Sequence, residues 1–383
     1  MTGLITLFVA TFVGNSGFAG LPLQLIVMPV LLLLAPVYLH WMRQHPGYPA
    51  GASYKHCERV LVLALIFLIP VSLILVLDSG RSYDSYFFLF PYEVTFWTLI
   101  LICYLVCVPS TQLSNVGNWA LVLCAVFIGL CHTNSADGRA YFIWGPNMSY
   151  RVVVVLAWLA ILEARRPLFA LVALILMIHG VALIGSRGGV IASLLPVLST
   201  VYRFPKASFI FFVVAIASIT AGSVSLEYRI TNFEISYGVV PRLDFLIALP
   251  DNITALGNSH SQFLTENTYE QFVYPHNLFG ELIYFYGYVG IVISVVVWVG
   301  VVRAIYCLFL WKRQLRLIEN WFIVCFLVAF CGSMFSGDLR DNSYVVAAAI
   351  LLICGYPATQ IYARNLTRNT ELGKLRTDHS LGG

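Results

Sequence analysis

The sequence predicts an all-α, polytopic membrane protein, a transmembrane helical bundle of about 12 spans with one long loop outside the membrane. Hydrophobic residues make up 60% of the 383-residue chain and charged residues only 10%, whereas a soluble domain carries about 25% charged residues. Apolar runs close to the roughly 20 residues that a bilayer core requires recur along the chain. The clearest are residues 61–77, 168–184, 282–302, 317–335 and 344–362.

These runs divide the chain into four segments. Residues 1–222 contain the first nine predicted spans, residues 223–277 form the long loop, residues 278–362 contain spans ten to twelve, and residues 363–383 form a polar tail. The predicted spans start near Leu4, Leu21, Val60, Tyr86, Trp119, Val152, Leu168, Val190, Phe209, Leu278, Leu317 and Ser343. Because the number of spans is even, both termini are expected on the same side of the membrane.

The basic residues predict the orientation, because cytoplasmic loops carry an excess of Lys and Arg. Fifteen of the 22 basic residues lie in one set of loops and in the C-terminal tail, so we expect that side and both termini to be cytoplasmic. The opposite side has no lysine, only Arg81, Arg139, Arg151, Arg187, Arg229, Arg242 and Arg340. Arginine grips phosphate oxygens in pairs, whereas lysine is a point charge. The alternative for any single arginine is that it anchors a span end at the lipid headgroups.

Charge and cysteine content argue against two kinds of site. The formal net charge of +4 does not indicate a nucleic-acid partner. The nine cysteines are scattered, mostly in apolar runs, without a Cys-x-x-Cys pair. This distribution favours small packing residues over a disulfide or metal framework.

The sharpest local motif is Pro-His-Asn-Leu-Phe at residues 275–279, followed by Gly-Tyr-Val-Gly at residues 287–290. It stands where the long loop is predicted to re-enter the membrane. A histidine at that boundary, His276, can change protonation near neutral pH and act as a general base. The alternative is an interfacial histidine followed by a helix-capping asparagine, Asn277.

A second motif, Gly-Ser-Arg-Gly-Gly at residues 185–189, separates the seventh and eighth predicted spans. Both spans have basic cytoplasmic ends, so this turn is expected to face outward. Small residues around Arg187 expose backbone N–H groups beside a fixed positive charge, an arrangement that suits a phosphate. The alternative is a tight turn whose arginine snorkels to the membrane surface.

The long loop carries six acidic residues and two arginines, Arg229 and Arg242. The acidic residues are Glu227, Glu234, Asp244, Asp251, Glu266 and Glu270. Two parts of the loop are predicted to be helical. Apolar residues recur at i, i+4 and i+7 within residues 226–233, and residues 241–249 open with a proline at a helix-start position. Both helices could lie flat on the membrane surface.

Together these motifs resemble the O-antigen polymerase and O-antigen ligase family, which includes related exopolysaccharide polymerases and protein O-oligosaccharyltransferases. The resemblance covers roughly residues 139–290. It rests on the turn at residues 185–189 (the Ser186 turn), the arginines of the long loop and the closing His276-Asn277 pair with its glycines. Members of the family transfer a glycan from undecaprenyl pyrophosphate to an acceptor hydroxyl at the periplasmic face of the bacterial inner membrane.

The resemblance implies a role for each motif. Arg187 and one or both of Arg229 and Arg242 would bind the pyrophosphate, and His276 would activate the acceptor hydroxyl. Arg139 matches a looser arginine in an earlier outer loop of the family. The choice between the two loop arginines stays open.

Supporting residues and metal independence complete the expected site. Ser186 and Asn277 would support the two motifs, and Glu266 or Glu270 could replace or assist the histidine as base. A leaving pyrophosphate needs fixed cations or a divalent metal. The outer side has no Asp-x-Asp sequence, so we expect arginines to do this without metal or cofactor.

Three classes of function remain in view: a glycan transferase, a transporter and a scaffold. A polymerase is favoured over a ligase, because the phosphorylated lipid A-core acceptor of a ligase should be matched by a basic loop, whereas this loop is acidic. A transporter or flippase is less favoured, since Glu93 and His179 are the main candidates for a position deep within a span and the charge concentrates at one face instead; a scaffold ranks last. The implied partners are an undecaprenyl-pyrophosphate-linked glycan, an acceptor glycan or lipid A-core, and membrane lipids, with a chain-length regulator as a further candidate.

Overall fold

The structure is a computed structural model that describes part of the chain. The described residues are 116–133, 140–142, 146–207, 240–259, 262–263, 277–310, 317–334 and 342–354, with separate positions at 90, 94, 97, 98, 101, 209, 210 and 213. Residues 133, 187, 240–243, 310 and 317–319 are described by their backbone alone.

Eight α-helices make up almost all of this part. In chain order they are α1 (Val116–Leu130), α2 (Pro146–Glu163), α3 (Pro167–Ile184), α4 (Arg187–Arg203), α5 (Val240–Ala248), α6 (Leu278–Leu310), α7 (Leu317–Ser333) and α8 (Ser343–Ile353). Short 3-10 helices follow α4 and α5 at Pro205–Ala207 and Leu249–Asn252. A two-stranded antiparallel ladder, β1 (His132–Thr133) and β2 (Ala140–Tyr141), joins α1 to α2 with His132 opposite Tyr141.

The helical class and the membrane character are confirmed within these residues. Three helices, α2, α3 and α6, are long and apolar enough to cross a bilayer. The predicted starts at Leu168, Leu278, Leu317 and Ser343 fall within one residue of an observed helix start, and three more fall within the first two turns of α1, α2 and α4. The remaining predicted spans lie outside the described residues, apart from isolated helical positions near 90–101 and 209–213.

Helix α2 forms the centre of the bundle. Its residues from Val152 to Leu162 are buried on every side, as expected for a helix that is apolar all round. It packs against α1, α3, α4 and α7. On the other side of the bundle, α6 approaches α8 closely because Gly300 lies against Ala349, with no room between them for a side chain.

The bundle has two distinguishable ends. At one end the Arg203 side chain donates a hydrogen bond to the Leu162 carbonyl oxygen, which joins the last turn of α4 to that of α2. At the other end α3 stops at Gly185, whose left-handed backbone (φ 63°) turns the chain into α4. Tyr150, near the start of α2, lies at this second end against Gly188. We call the two ends the Arg203 end and the Tyr150 end.

Helix α6 reverses direction at Gly287, whose backbone angles are φ 55° and ψ −128°. The Phe279 and Trp298 rings stack 5.5 Å apart, although nineteen residues of straight helix would separate them by about 28 Å. Gly290 lies so close to the Leu282 carbonyl oxygen that a Cβ could not be accommodated. The two halves, residues 278–286 (α6a) and 288–310 (α6b), therefore form a helical hairpin.

The tenth predicted span contains this reversal. The helix begins at Leu278 as predicted, but it does not run straight from there through the membrane. The long straight part is α6b, which still exceeds the roughly 20 residues that a bilayer requires. Asn277, at the start of α6a, consequently lies alongside α6b, because it is two residues before the Phe279 that stacks on Trp298.

Candidate functional site

The Ser186 turn is built against Tyr150. A Cβ at Gly188 would lie 2.8 Å from the Tyr150 hydroxyl oxygen, and one at Gly189 would lie 3.0 Å from its Cβ and Cγ atoms. The two glycines thus let the first turn of α4 pack directly on α2. Ser186 is buried at the N-cap, and its side chain makes no capping hydrogen bond. The sequence offers exposed N–H groups or a tight turn as reasons for these glycines, and this packing on Tyr150 is a further one.

Arg187 is the first residue of α4. The first N–H groups of a helix have no intrahelical acceptor, and the helix dipole places positive charge there. The backbone at Arg187 therefore offers an environment that favours an anion.

Asn277 caps α6a, as the structural alternative for this motif predicted. Its Oδ1 accepts a hydrogen bond of 2.9 Å from the Gly280 N–H, and its main-chain carbonyl accepts one of 2.9 Å from the Glu281 N–H. Its Nδ2 also donates a bond of 3.1 Å to the carbonyl oxygen of Met334, just beyond the end of α7. The residue directly after His276 is thus fixed to two helices.

The end of α7 brings the two motifs together. Gly332 packs against Tyr150 and Arg151, and Gly188 and Gly189 pack against the same tyrosine. Two residues further on, Met334 accepts the hydrogen bond from Asn277. Two sequence motifs that are some 90 residues apart are therefore attached to one short stretch at the Tyr150 end.

Helix α5, which carries Arg242, docks on α6a. The helix predicted from Pro241 to Leu249 is observed as Val240–Ala248 followed by a 3-10 turn. A Cβ at Gly280 would lie 2.8 Å from Phe245, whose ring also packs against Tyr284 at 5.6 Å. The backbone of Arg242 lies one helical turn before Phe245, so it is held near the helix that follows His276.

A second connection fastens the loop to the reversal in α6. The Asn258 N–H donates a 2.7 Å hydrogen bond to the Tyr284 carbonyl, and the Tyr288 N–H donates one of 3.3 Å to the Ala255 carbonyl. Gly257 (φ 81°) and Gly287 (φ 55°) approach the opposing backbone so closely that neither position has space for a Cβ. The loop and the hairpin are interlocked through these two glycines.

We expect Gly287→Ala to destabilise the protein by about 3 kcal/mol. Alanine strongly disfavours this backbone conformation, and its methyl group would overlap the Thr254 carbonyl oxygen. The midpoint of unfolding in detergent measures the effect. Gly129→Ala in α1 is the matched control, because no atom lies within 4 Å of the added methyl. Equal midpoints for the two variants would contradict the interlock.

The predicted site residues are described to different extents. Ser186 and Asn277 are fully placed, whereas Arg187 and Arg242 are placed by their backbone only. The other predicted residues lie outside the described part of the chain: Arg139, Arg229, Glu266, Glu270 and His276. The structure adds two residues that the motifs had not singled out, Tyr150 and Arg151. Arg151 is one of the seven arginines predicted on the outer side, and Tyr150 precedes it near the start of α2 without a signal of its own.

The described part of the chain therefore belongs to a helical membrane protein with a polar cluster at one end of its bundle. No protein-family model and no curated protein matches the sequence. Among the described residues, no group of three His, Cys, Asp or Glu side chains could hold a metal ion.

Proposed function

We propose that this protein is a glycosyltransferase of the bacterial inner membrane that takes its glycan from undecaprenyl pyrophosphate at the periplasmic face. In this proposal it is an O-antigen or related polysaccharide polymerase, and the acceptor is a sugar hydroxyl on another glycan chain. His276 is the base, and Arg187 with Arg229 or Arg242 binds the pyrophosphate.

The observation that carries the proposal is the shared attachment at the end of α7. The residue after His276 is bonded to Met334, and the residues after Arg187 pack on Tyr150, which contacts Gly332. The helix bearing Arg242 packs on Gly280, which is one turn after Asn277 in α6a. A base and a phosphate clamp must act on the two sides of one anomeric carbon, so their supporting backbones need this proximity.

The proposed reaction needs only these groups. His276 accepts the proton of the acceptor hydroxyl as its oxygen forms a bond to the anomeric carbon of the donor glycan. The bond between that carbon and the pyrophosphate oxygen breaks, and undecaprenyl pyrophosphate leaves with the electron pair. Arginine forks and the start of α4 stabilise the negative charge that develops on the leaving group.

Reconstitution tests the proposal. Purified protein in lipid nanodiscs is given an undecaprenyl-pyrophosphate-linked repeat unit, and products are separated by size. A ladder of longer lipid-linked glycans indicates a polymerase. Transfer only when lipid A-core is added identifies a ligase instead. Donor that stays unchanged with both acceptors would overturn the proposal.

We expect the transfer activity to persist in excess EDTA. Fixed arginines replace the carboxylate-bound Mg²⁺ that usually neutralises a leaving pyrophosphate. The acidic residue nearest to His276 in the sequence on its C-terminal side, Glu281, is 1% exposed within α6a and has no second acid beside it in that helix. Activity lost to EDTA and restored by Mg²⁺ or Mn²⁺ would demote the arginines to membrane anchors. Attention would then turn to Asp338 and Asp341, the acidic pair of the sequence Asp-Leu-Arg-Asp at residues 338–341.

A polysaccharide transporter or flippase is a second candidate, because one observation favours it. Transporters bind their substrates at broken helices and at ionisable residues within the membrane, and α6 is broken at Gly287 with Glu281 buried six residues earlier in α6a. Of the two residues expected within spans, His179 is exposed on α3 and Glu93 lies outside the described residues. Movement of a labelled lipid-linked glycan across proteoliposomes, without elongation, would establish this second function.

A further inference from the structure

Two polar groups at the Tyr150 end are buried without a hydrogen-bond partner among the described residues. They are the Tyr150 hydroxyl and Nε of Arg151. Tyr150 has no solvent exposure. Buried donors of this kind normally donate a hydrogen bond to protein, water or a ligand. Two such donors on adjacent residues therefore indicate an acceptor that both of them can bind.

The two groups and a third donor converge on Gly332, which packs against them. Nε and Nη2 of Arg151 are each 2.8 Å from the position of a Cβ at Gly332, and the Tyr150 hydroxyl is nearer still. Nη2 reaches only a long contact of 3.4 Å to Oδ1 of Asn342, and Nη1 reaches the Met148 sulfur at 4.0 Å. The Nε–Nη2 edge is thus not matched by any carboxylate in the described part of the chain.

The Nε–Nη2 edge of a guanidinium presents two parallel N–H groups, which fit two oxygens of one phosphate. A tyrosine hydroxyl beside it supplies a third donor to the same group. The cluster adjoins Gly188, the residue after Arg187. A phosphate bound here would therefore lie next to the start of α4, whose backbone also favours an anion.

We propose that Tyr150 and Arg151 form a phosphate-binding site, which takes one phosphoryl group of a polyprenyl pyrophosphate. The assignment of the ligand to the transferred donor rests on the proposed function. The binding of a phosphoryl group by these two side chains does not. The site adds a fixed cation to the arginines that are proposed to bind the pyrophosphate. This cation comes from α2, the central helix of the bundle, rather than from a loop.

Equilibrium binding to the purified full-length protein in nanodiscs tests the site. The probes are undecaprenyl pyrophosphate in zwitterionic lipid, inorganic pyrophosphate, and phosphatidylglycerol as an anionic headgroup. We expect Arg151→Lys to weaken undecaprenyl pyrophosphate binding at least about tenfold, because lysine keeps the charge but loses the paired donors. Arg166→Lys, exposed at the Arg203 end, is the matched control and should bind like the wild type.

Tyr150→Phe separates binding from folding. It removes a hydroxyl that has no hydrogen-bond partner among the described residues, so the unfolding midpoint should stay the same or rise. Binding of undecaprenyl pyrophosphate should nevertheless weaken several-fold. A lower midpoint with unchanged binding would show that the hydroxyl is structural, and it would overturn this part of the site.

The remaining outcomes are equally decisive. Wild-type protein that binds neither pyrophosphate probe overturns the site, as does an Arg151→Lys variant with wild-type affinity. An effect confined to phosphatidylglycerol makes Arg151 a membrane anchor and overturns the site as well. Weakened pyrophosphate binding in a protein that transfers no glycan supports the site and rejects the proposed transferase. Glycan transfer by the wild type, together with unaltered pyrophosphate binding in the Arg151→Lys variant, supports the proposed transferase and rejects the site.

Discussion

Replacement of His276 by alanine should reduce glycan transfer by about 100- to 10,000-fold, to the background of the assay. The acceptor hydroxyl is a poor nucleophile until a base removes its proton, and alanine leaves no group to accept it. Expression and donor binding should be unchanged, because the adjacent helix start is held by Asn277 through Gly280 and Met334. The rate of elongation in nanodiscs, measured at saturating donor, gives the effect.

His179→Ala is the matched control for this experiment. His179 is exposed on α3, so its loss tests whether any histidine matters for the membrane protein as a whole. If the His276→Ala protein elongates glycan normally, His276 is not the base. Glu266→Gln and Glu270→Gln should then be measured, since either glutamate is the alternative base.

Replacement of Arg187 by lysine should lower transfer by about ten- to a hundredfold. Lysine preserves the positive charge at the start of α4 but cannot present two parallel N–H groups to one phosphate. A residue that only anchors the helix end at lipid headgroups would tolerate lysine. The change should therefore weaken binding of undecaprenyl pyrophosphate without moving the unfolding midpoint.

Arg165→Lys provides the comparison, because Arg165 is exposed at the Arg203 end of the bundle. Equal transfer by the two lysine variants would reject a phosphate clamp at Arg187. The clamp would then have to be sought at the loop arginines, Arg229 and Arg242, or at Arg151.

Hydropathy and local caps predicted much of the described fold. The starts of α3, α7 and α8 follow from apolar length alone, because a bilayer demands it. The loop helix at Val240–Ala248 follows from Pro241, whose fixed φ suits the first turn and whose missing N–H costs nothing there. These features depend on residues that are near one another in the sequence.

The features that escaped prediction depend on distant contacts. Gly287 is compatible with a straight helix or with a reversal, and the choice is made by residues 254–258, some thirty positions earlier. Arg151 is one of the seven arginines predicted on the outer side, and its neighbours in the sequence do not distinguish a phosphate ligand from a membrane anchor. Its surroundings come from Gly332 and Asn342, nearly 200 residues later in the chain. No local pattern encodes either arrangement.

The interlock between the loop and α6a also bears on how such a protein can diversify. Asn258 is bonded to Tyr284, and Asn277 begins the same short helix. Both ends of the intervening segment, residues 259–276, are therefore attached to α6a. Doubling the length of a closed loop costs only about 0.6 kcal/mol. Phe263 is buried against Phe245 and Tyr284, so changes of length should be tolerated only between it and His276. There they should alter the surface offered to an acceptor while the backbones of Arg187 and Arg242 keep their places. Acceptor choice would then evolve by loop length, largely independently of the chemistry.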